Sequence, residues 1–234
     1  MNPVAICRFS PTEDAGYFAT YLSERGIPWR VVKLDEAEAL PEPDSLGGLA
    51  MMGGPMSAND DLPWTQPMLE LLRLSVAGDV PVIGHCLGGQ LLAKALGGRV
   101  TRNAVKEIGW GRVEVLDTPL AALWGPQRAF VSYHWHGETF SVPRDAIRIW
   151  SSAHCENQAF VLGPHIGMQC HIEMTEPMIE SWCESGAPEI EEAIPLSPAV
   201  QTPAAMHDGM ATKLEDLHRV ADSVYDRWVT SLKK

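Results

Sequence analysis

The sequence has no CxxC pair, no apolar run of membrane-spanning length, and no surplus of basic residues. Each absence removes a class of protein. The five cysteines, Cys7, Cys86, Cys155, Cys170 and Cys183, are odd in number and scattered, which argues against a disulfide framework or a zinc ribbon. The opening MNPVAICRFSP lacks the basic start, long apolar stretch and small-residue cleavage site of a signal peptide. With no later run long enough to cross a bilayer, a cytoplasmic location is expected. The 18 Lys+Arg against 30 Asp+Glu leave a net charge of -12, a field that repels nucleic-acid backbones and anionic lipid. Neither nucleic acid nor membrane is therefore an expected partner. Internal repeats and low-complexity tracts are also missing. What remains is 234 residues with 45% hydrophobic content, enough to bury one full core, so a single domain over 1–234 is expected.

The N-terminal half alternates short apolar runs with helical patterns. Val4 to Cys7, Trp29 to Leu34, Leu49 to Met52 and Val80 to Gly84 read as strands; Glu13 to Arg25, Gln66 to Ala77 and Leu87 to Leu96 read as helices. Alternation at this spacing predicts a parallel sheet covered by helices on both faces, with ligands bound beyond the carboxyl ends of its strands. Between Arg99 and about Gln169 the segments WGRVEVLD, AFVSYHW, AIRIWSS and QAFVLGP add strands, as a continuation of the sheet or an antiparallel edge. Residues 186–211 hold four prolines and little periodicity, and are expected to wander over the surface. Thr212 and Glu215 then suggest a capping box before a last helix that turns Leu214, Leu217, Ala221, Val224, Tyr225 and Trp228 inward. This C-terminal extension, about 186–234, belongs to the same expected domain.

One cysteine stands apart from the other four. Gly84-His85-Cys86-Leu87-Gly88 has the form of a nucleophile elbow, a side chain on a tight strand-to-helix turn with glycines removing the Cβ atoms that would clash. The same turn puts Cys86 at a helix N-terminus, where free N–H groups favour a thiolate and stabilise an oxyanion. A thiol nucleophile needs a base, and the base an orienter. GMQCHIEMTEP supplies both, since His171 and Glu173 share one face if the chain is extended there. MMGGPMSAND follows another strand, and its Gly53 and Gly54 would let a backbone N–H approach a tetrahedral oxyanion, with the Leu87 N–H as second donor.

These segments, GGPMS, GHCLGGQ and QCHIEMT in this order at strand ends, closely resemble the class I glutamine amidotransferase family over about Val4 to Pro177. Within it the likeness is to stand-alone proteins similar to the glutaminase domain of GMP synthetase, a group that includes γ-glutamyl peptidases. The resemblance implies a flavodoxin-like three-layer α/β sandwich with a mostly parallel sheet. It implies a triad of Cys86, His171 and Glu173, an oxyanion hole from Gly54 and Leu87, and Gln90 as a holder of the glutamine substrate. SYHWHGETF resembles the family segment lining the glutamine pocket, with Trp135 and His136 as candidates there. Cys170 and Ile172 stand where the family usually has an aromatic residue and a proline, and only local repacking is expected of them.

The expected activity is cysteine-dependent hydrolysis of the γ-amide of glutamine or of a γ-glutamyl compound through a γ-glutamyl thioester, without metal or organic cofactor. A subunit that delivers ammonia to a partner synthetase is the alternative, since no ATP-using synthetase sequence follows; a non-enzymatic binding protein is a third. A rival metal reading joins His134, His136, Cys155, Cys170 and His171, because strand spacing puts His134 and His136 on one face. It leaves the elbow unexplained. His85, His154, His165, His207 and His218 are expected to be packing or surface residues.

Overall fold

In the first strand, Val4, Ala5, Ile6 and Cys7 are all wholly buried, the condition of a strand covered on both faces. Alternation sends them two ways: Val4 and Ile6 pack with Phe18, Leu22 and Trp228, whereas Ala5 and Cys7 pack with Leu72 and Leu91. Two apolar cores separated by one sheet follow from this pattern.

The computed structural model describes residues 2–126 and 128–233. In chain order its elements are β1 (Val4–Arg8), α1 (Gly16–Glu24), β2 (Trp29–Lys33), β3 (Gly48–Met51), α2 (Thr65–Ala77), β4 (Val82–His85), α3 (Leu87–Ala95) and β5 (Val100–Val115). Then come β6 (Phe130–Phe140), β7 (Ile147–Ser152), β8 (Ala159–Leu162), β9 (His165–Met168), α4 (Glu176–Ser185), α5 (Ala187–Ala193), α6 (Pro203–His207) and α7 (Met210–Val229). The strands form a nine-stranded sheet in the order β2-β1-β3-β4-β9-β8-β7-β5-β6. From β2 to β9 neighbours run parallel, and from β9 to β6 they run antiparallel. This is the α/β sandwich that the sequence predicts, its sheet parallel through the N-terminal half and antiparallel beyond β9, with α2 and α3 against one face and α1, α4 and α7 against the other. β3, β4 and β9 are adjacent, so the loops leaving their carboxyl ends converge. Those loops carry Gly54, Cys86 and His171.

Three expectations need correction. The antiparallel part begins earlier than the apolar runs suggest: β5 starts at Val100, ten residues before Trp110, because its polar Thr101 and Arg102 pair with the end of β6 on an exposed edge. The expected surface excursion of residues 186–211 contains α5 and α6. Pro188 and Pro203 lie in their first turns, where a missing N–H costs nothing, so they begin helices rather than break them. The capping box at Thr212 and Glu215 does not form. α7 starts two residues earlier at Met210, behind a left-handed Gly209 at φ 64°, which leaves Thr212 inside the first turn. The cap that does form is Thr202, whose Oγ1 accepts from Ala205 N at 3.2 Å. The inward stripe of α7 is buried throughout, as its periodicity predicts.

Candidate active site

Cys86 is held between β4 and α3 at φ 48°, ψ -106°, a conformation that a residue with a Cβ adopts only when its surroundings impose it. The surroundings are glycines. A Cβ on Gly84 would lie 2.4 Å from Gly88 C, and one on Gly88 would lie 2.4 Å from Met51 O. Without side chains at both places α3 closes onto β3 and β4, and the Cys86 side chain is left on the floor of a cavity of about 540 Å³. Leu87 opens α3, so its N–H has no acceptor within the helix. Gly54 lines the same cavity, and among the described residues its N–H meets no backbone acceptor.

His171 reaches the cavity from just beyond β9, where its backbone exchanges hydrogen bonds with Tyr133 of β6. The chain is still extended there, and the His171 Nδ1 to Glu173 Oε1 distance is 2.6 Å. Both side chains are 1% exposed, so their charges act with little screening. Burial opposes a charged His171, but the Glu173 carboxylate and the Cys86 sulfur outweigh it and hold its pKa well above the usual imidazole range. Burial likewise opposes an ionised Glu173, yet His85 and His171 bring its pKa down to about 2. The second carboxylate oxygen, Oε2, lies 3.8 Å from His85 Nε2, and that nitrogen is 3.2 Å from the Tyr225 hydroxyl on α7. His85 is thus a buried support, in keeping with its expected packing role, and burial lowers its pKa. The other thiols are unlike Cys86 in place: burial pushes Cys7 and Cys170 up to about 12 and Cys155 up to about 11, and none of them lines the cavity.

Gln90, Trp135 and His136 all line the cavity, but in different ways. Gln90 Nε2 donates to Gln169 Oε1 at 3.2 Å, and Gln169 Nε2 donates to Cys86 Sγ at 3.5 Å. Gln169 is therefore a site residue that motif reading passed over, although its position two before His171 on an extended chain was a signal. Trp135 offers its carbonyl 3.8 Å from Cys86 Sγ, while its indole Nε1 turns to donate to Glu189 on α5 at 2.9 Å. His136 faces away: Nε2 sits 3.0 Å from Glu107 Oε2, directly across the β5–β6 ladder, and Nδ1 donates to Glu138 O at 3.0 Å.

The five-residue metal grouping is not assembled. His134 and His136 come together with Glu107, their ligand atoms within 4.8 Å of one another, while Cys155 is engaged with Thr139 and His171 with Glu173. These three could hold an ion by residue type. Gln158, however, already fills their midst, donating from Nε2 to Glu107 Oε2 at 2.9 Å with His134 Nδ1 3.4 Å away.

Two further residues carried no motif. Trp182 of α4 meets the His171 ring edge-on at 4.9 Å and donates its Nε1 to Thr12 O at 2.7 Å. Next to Thr12, Glu13 enters the cavity; burial raises its pKa to about 7, with His171 pulling it down and Glu173 pushing it up.

A cysteine on a strained turn at the carboxyl end of a parallel sheet, beside a buried histidine–carboxylate pair, has the residue types that a thiol-dependent acyl-transfer site requires. A family model described as glutamine amidotransferase class-I matches residues 17–178, and the chain belongs to that family. A solved glutamine amidotransferase from Methylobacillus flagellatus is 45% identical, covering 100% of this chain and 96% of that one, with a TM-score of 0.98. A glutamine amidotransferase structure from Thermotoga maritima is 28% identical over 98% of this chain and 99% of its own, with a TM-score of 0.87. The glutamine amidotransferase-like protein YfeJ of Salmonella typhimurium is 30% identical over 77% of this chain and 80% of its own. Similarity to a glutamine-hydrolyzing GMP synthase of Aeropyrum pernix, 36% identical, spans 44% of this chain but only 19% of that protein.

Proposed function

We propose that this chain hydrolyses the γ-amide of glutamine or of a γ-glutamyl compound, with Cys86 as nucleophile, His171 as acid and base, and Glu173 as its orienter. The observation that carries this reading is the convergence of a strained Cys86 and a 2.6 Å His171–Glu173 pair on one cavity. Cys86 sulfur adds to the γ-carbonyl carbon, and the developing oxyanion is taken by the Gly54 and Leu87 N–H groups. His171, held protonated by Glu173, delivers its proton to the leaving nitrogen as the C–N bond breaks, which leaves a γ-glutamyl thioester. The now neutral His171 takes a proton from water, the water oxygen attacks the thioester, and glutamate departs as the thiolate is restored. Gln90 and the backbone at Trp135 hold the glutamyl head, and His136 supports that backbone from behind through Glu107. Residues 186–234 close the same domain rather than forming another.

Purified protein should release glutamate from at least one γ-glutamyl amide or peptide without ATP, and a diazo-ketone analogue of glutamine should label Cys86 ahead of the other four thiols. Background rates across a broad panel, or labelling spread over the buried thiols, would reject the reading. The likeness to GMP synthases supports a second one, in which ammonia made here passes to a separate synthetase. Glutamine hydrolysis that appears only when a co-purifying partner is added would select it.

A further inference from the structure

The β1–α1 loop brings to this cavity a carboxyl that the hydrolytic cycle leaves unused. A Cβ placed on Gly53 would sit 2.6 Å from Glu13 Oε2 and 3.0 Å from His171 Cε1, so carboxyl and imidazole flank the same point. The loop is fixed there at both ends. Thr12 is tied to Trp182, which stacks edge-on against His171, and Tyr17 N donates to Glu173 O at 2.8 Å. Among the described residues no side chain or backbone N–H donates to the Glu13 carboxyl. Its surroundings are also weighted to one sign of charge: Glu13, Glu138 and Glu189 line the cavity with no lysine or arginine, and the cation among the lining residues, His171, is already paired with Glu173. Of these three, Glu189 is neutralised by Lys106, and Glu138 accepts from the Ser57 hydroxyl at 2.8 Å. Among the described residues Glu13 is the one of the three with no hydrogen-bond donor or ion-pair partner of its own, drawn on only by the nearby His171.

A glutamyl head is a zwitterion, so its own charge does not discriminate between substrates; the charge of the departing group does. With the head on the Gln90 and Trp135 side, the leaving nitrogen must face His171, because that residue protonates it. The wall beyond His171 is the one built from Thr12, Glu13 and Trp182.

We propose that this wall selects γ-glutamyl amides whose leaving group carries a positive charge, and that Glu13 sets the preference. The inference deepens the hydrolase reading and rests on its placement of the substrate. The chemistry is unchanged: the sulfur–carbon bond forms, the carbon–nitrogen bond breaks, and the leaving amine takes its proton from His171. The remote ammonium keeps its own proton throughout and faces the Glu13 carboxylate, and water is the only other reactant.

The test uses three γ-glutamyl amides of similar length, those of trimethylenediamine, n-butylamine and β-alanine, whose leaving groups end in an ammonium, a methyl and a carboxylate. Binding is measured by calorimetry on full-length Cys86→Ala protein at pH 8 and low salt, and turnover is measured separately on the unaltered chain. The expected order of affinity is ammonium, methyl, carboxylate, with about tenfold or more between the first and last, the scale of one partly screened charge pair at each step. Glu13→Gln in the same background should cut the ammonium-to-methyl ratio about threefold or more, and added salt should shrink it in the parent. Glu138→Gln, which changes the cavity charge without touching the wall beside His171, should cut it less. Equal affinities for the three amides, or a ratio indifferent to Glu13→Gln, would overturn the inference. Because this readout is binding to a protein without its thiol, it stands or falls apart from turnover. Absence of turnover for all three amides and for glutamine counts against the hydrolase reading instead.

Discussion

The turn around Cys86 and the C-terminal segment from Ala187 onward serve one site by opposite means. Around Cys86 everything is local: strand, glycine, cysteine, glycine and helix follow within a few residues, and the backbone passes so close that a Cβ on Gly84 or Gly88 would lie 2.4 Å from a neighbouring backbone atom. The C-terminal segment reaches the site from far along the chain. Tyr225 approaches His85 across 140 positions of sequence, and Glu189 bonds Trp135 across 54. On the function proposed above, the first region performs the chemistry and the second holds the groups that perform it. Chemistry demands particular residue types at fixed spacing, whereas support demands only shape, burial and one polar atom in the right place.

The sharpest way to test this division is to remove a chemical group and a supporting group and compare the losses. Cys86→Ser should lower kcat/KM for the best γ-glutamyl substrate by about 10³-fold or more, since the hydroxyl is a far weaker nucleophile at neutral pH. Circular dichroism should show an intact fold, as the change opens no cavity. Trp228→Ala, in α7, should do the reverse. The indole is wholly buried against Phe18 at 5.6 Å, and its loss should cost about 3–5 kcal/mol in urea unfolding. A Trp228→Ala protein within about 1 kcal/mol of the parent would make α7 a dispensable extension, against the inward stripe that its periodicity predicts.

The two regions also show where sequence patterns carry information and where they stop. Val4 to Cys7, Val82 to His85 and the helices after Thr65 and Cys86 are legible because each is a short apolar run or a periodic stripe bounded by glycine. The elbow is legible for the same local reason. The start of β5 is not, because its polar residues pair on an exposed edge where alternation has nothing to hide. α5 and α6 were obscured by prolines, which mark a helix start as readily as a break. Among site residues, Cys86, His171 and Glu173 sit in motifs that name them, and the structure brings Cys86 and His171 to one cavity with Glu173 against His171. Trp182 and Tyr225 sit in ordinary amphipathic stripes, where a core aromatic and a site aromatic look alike. Glu13 has no signature at all; only the fold brings β1's loop against His171.

Support can be weakened without removing it. Tyr225→Phe deletes the hydroxyl that meets His85 and leaves the ring packing against Phe18 at 4.7 Å. The expected cost is about 1 kcal/mol of stability, the net worth of one hydrogen bond, with a fall in kcat of a few fold and little change in KM. A larger effect on KM than on kcat would place Tyr225 in substrate binding and blur the distinction drawn here.

The pH dependence of stability separates the His171–Glu173 pair from its surroundings. Glu173, held down to about 2, contributes stability that is present above its unfolded value of 4.5 and lost as pH falls through about 2. His171, held well above its unfolded 6.5, contributes stability that is present below 6.5 and lost as pH rises through its raised value. Both contributions are whole between about pH 4.5 and 6.5, so the difference in unfolding free energy between the parent and Glu173→Gln should be greatest there. A difference that stays flat from pH 3 to 9 would mean the pair is not ionised in the folded chain.

Glu13 supplies the smallest and most discriminating effect, because it belongs to the chemical side of the comparison while carrying no part of the hydrolytic cycle. Its folded pKa of about 7 lies above the unfolded 4.5, so the fold is favoured below 4.5 and that contribution is lost as pH rises through about 7. Above that pH the chain holds a desolvated carboxylate at a cost that Glu13→Gln removes. The substitution should therefore stabilise the protein by about 1 kcal/mol or somewhat more at pH 8, and by less at pH 5, in paired urea titrations. A group kept for packing alone would show no such gain, and a group bound to a hidden cation would show a loss. Stabilisation at pH 8 together with a reduced preference for ammonium-bearing amides would mark Glu13 as a residue retained for selection at the expense of stability.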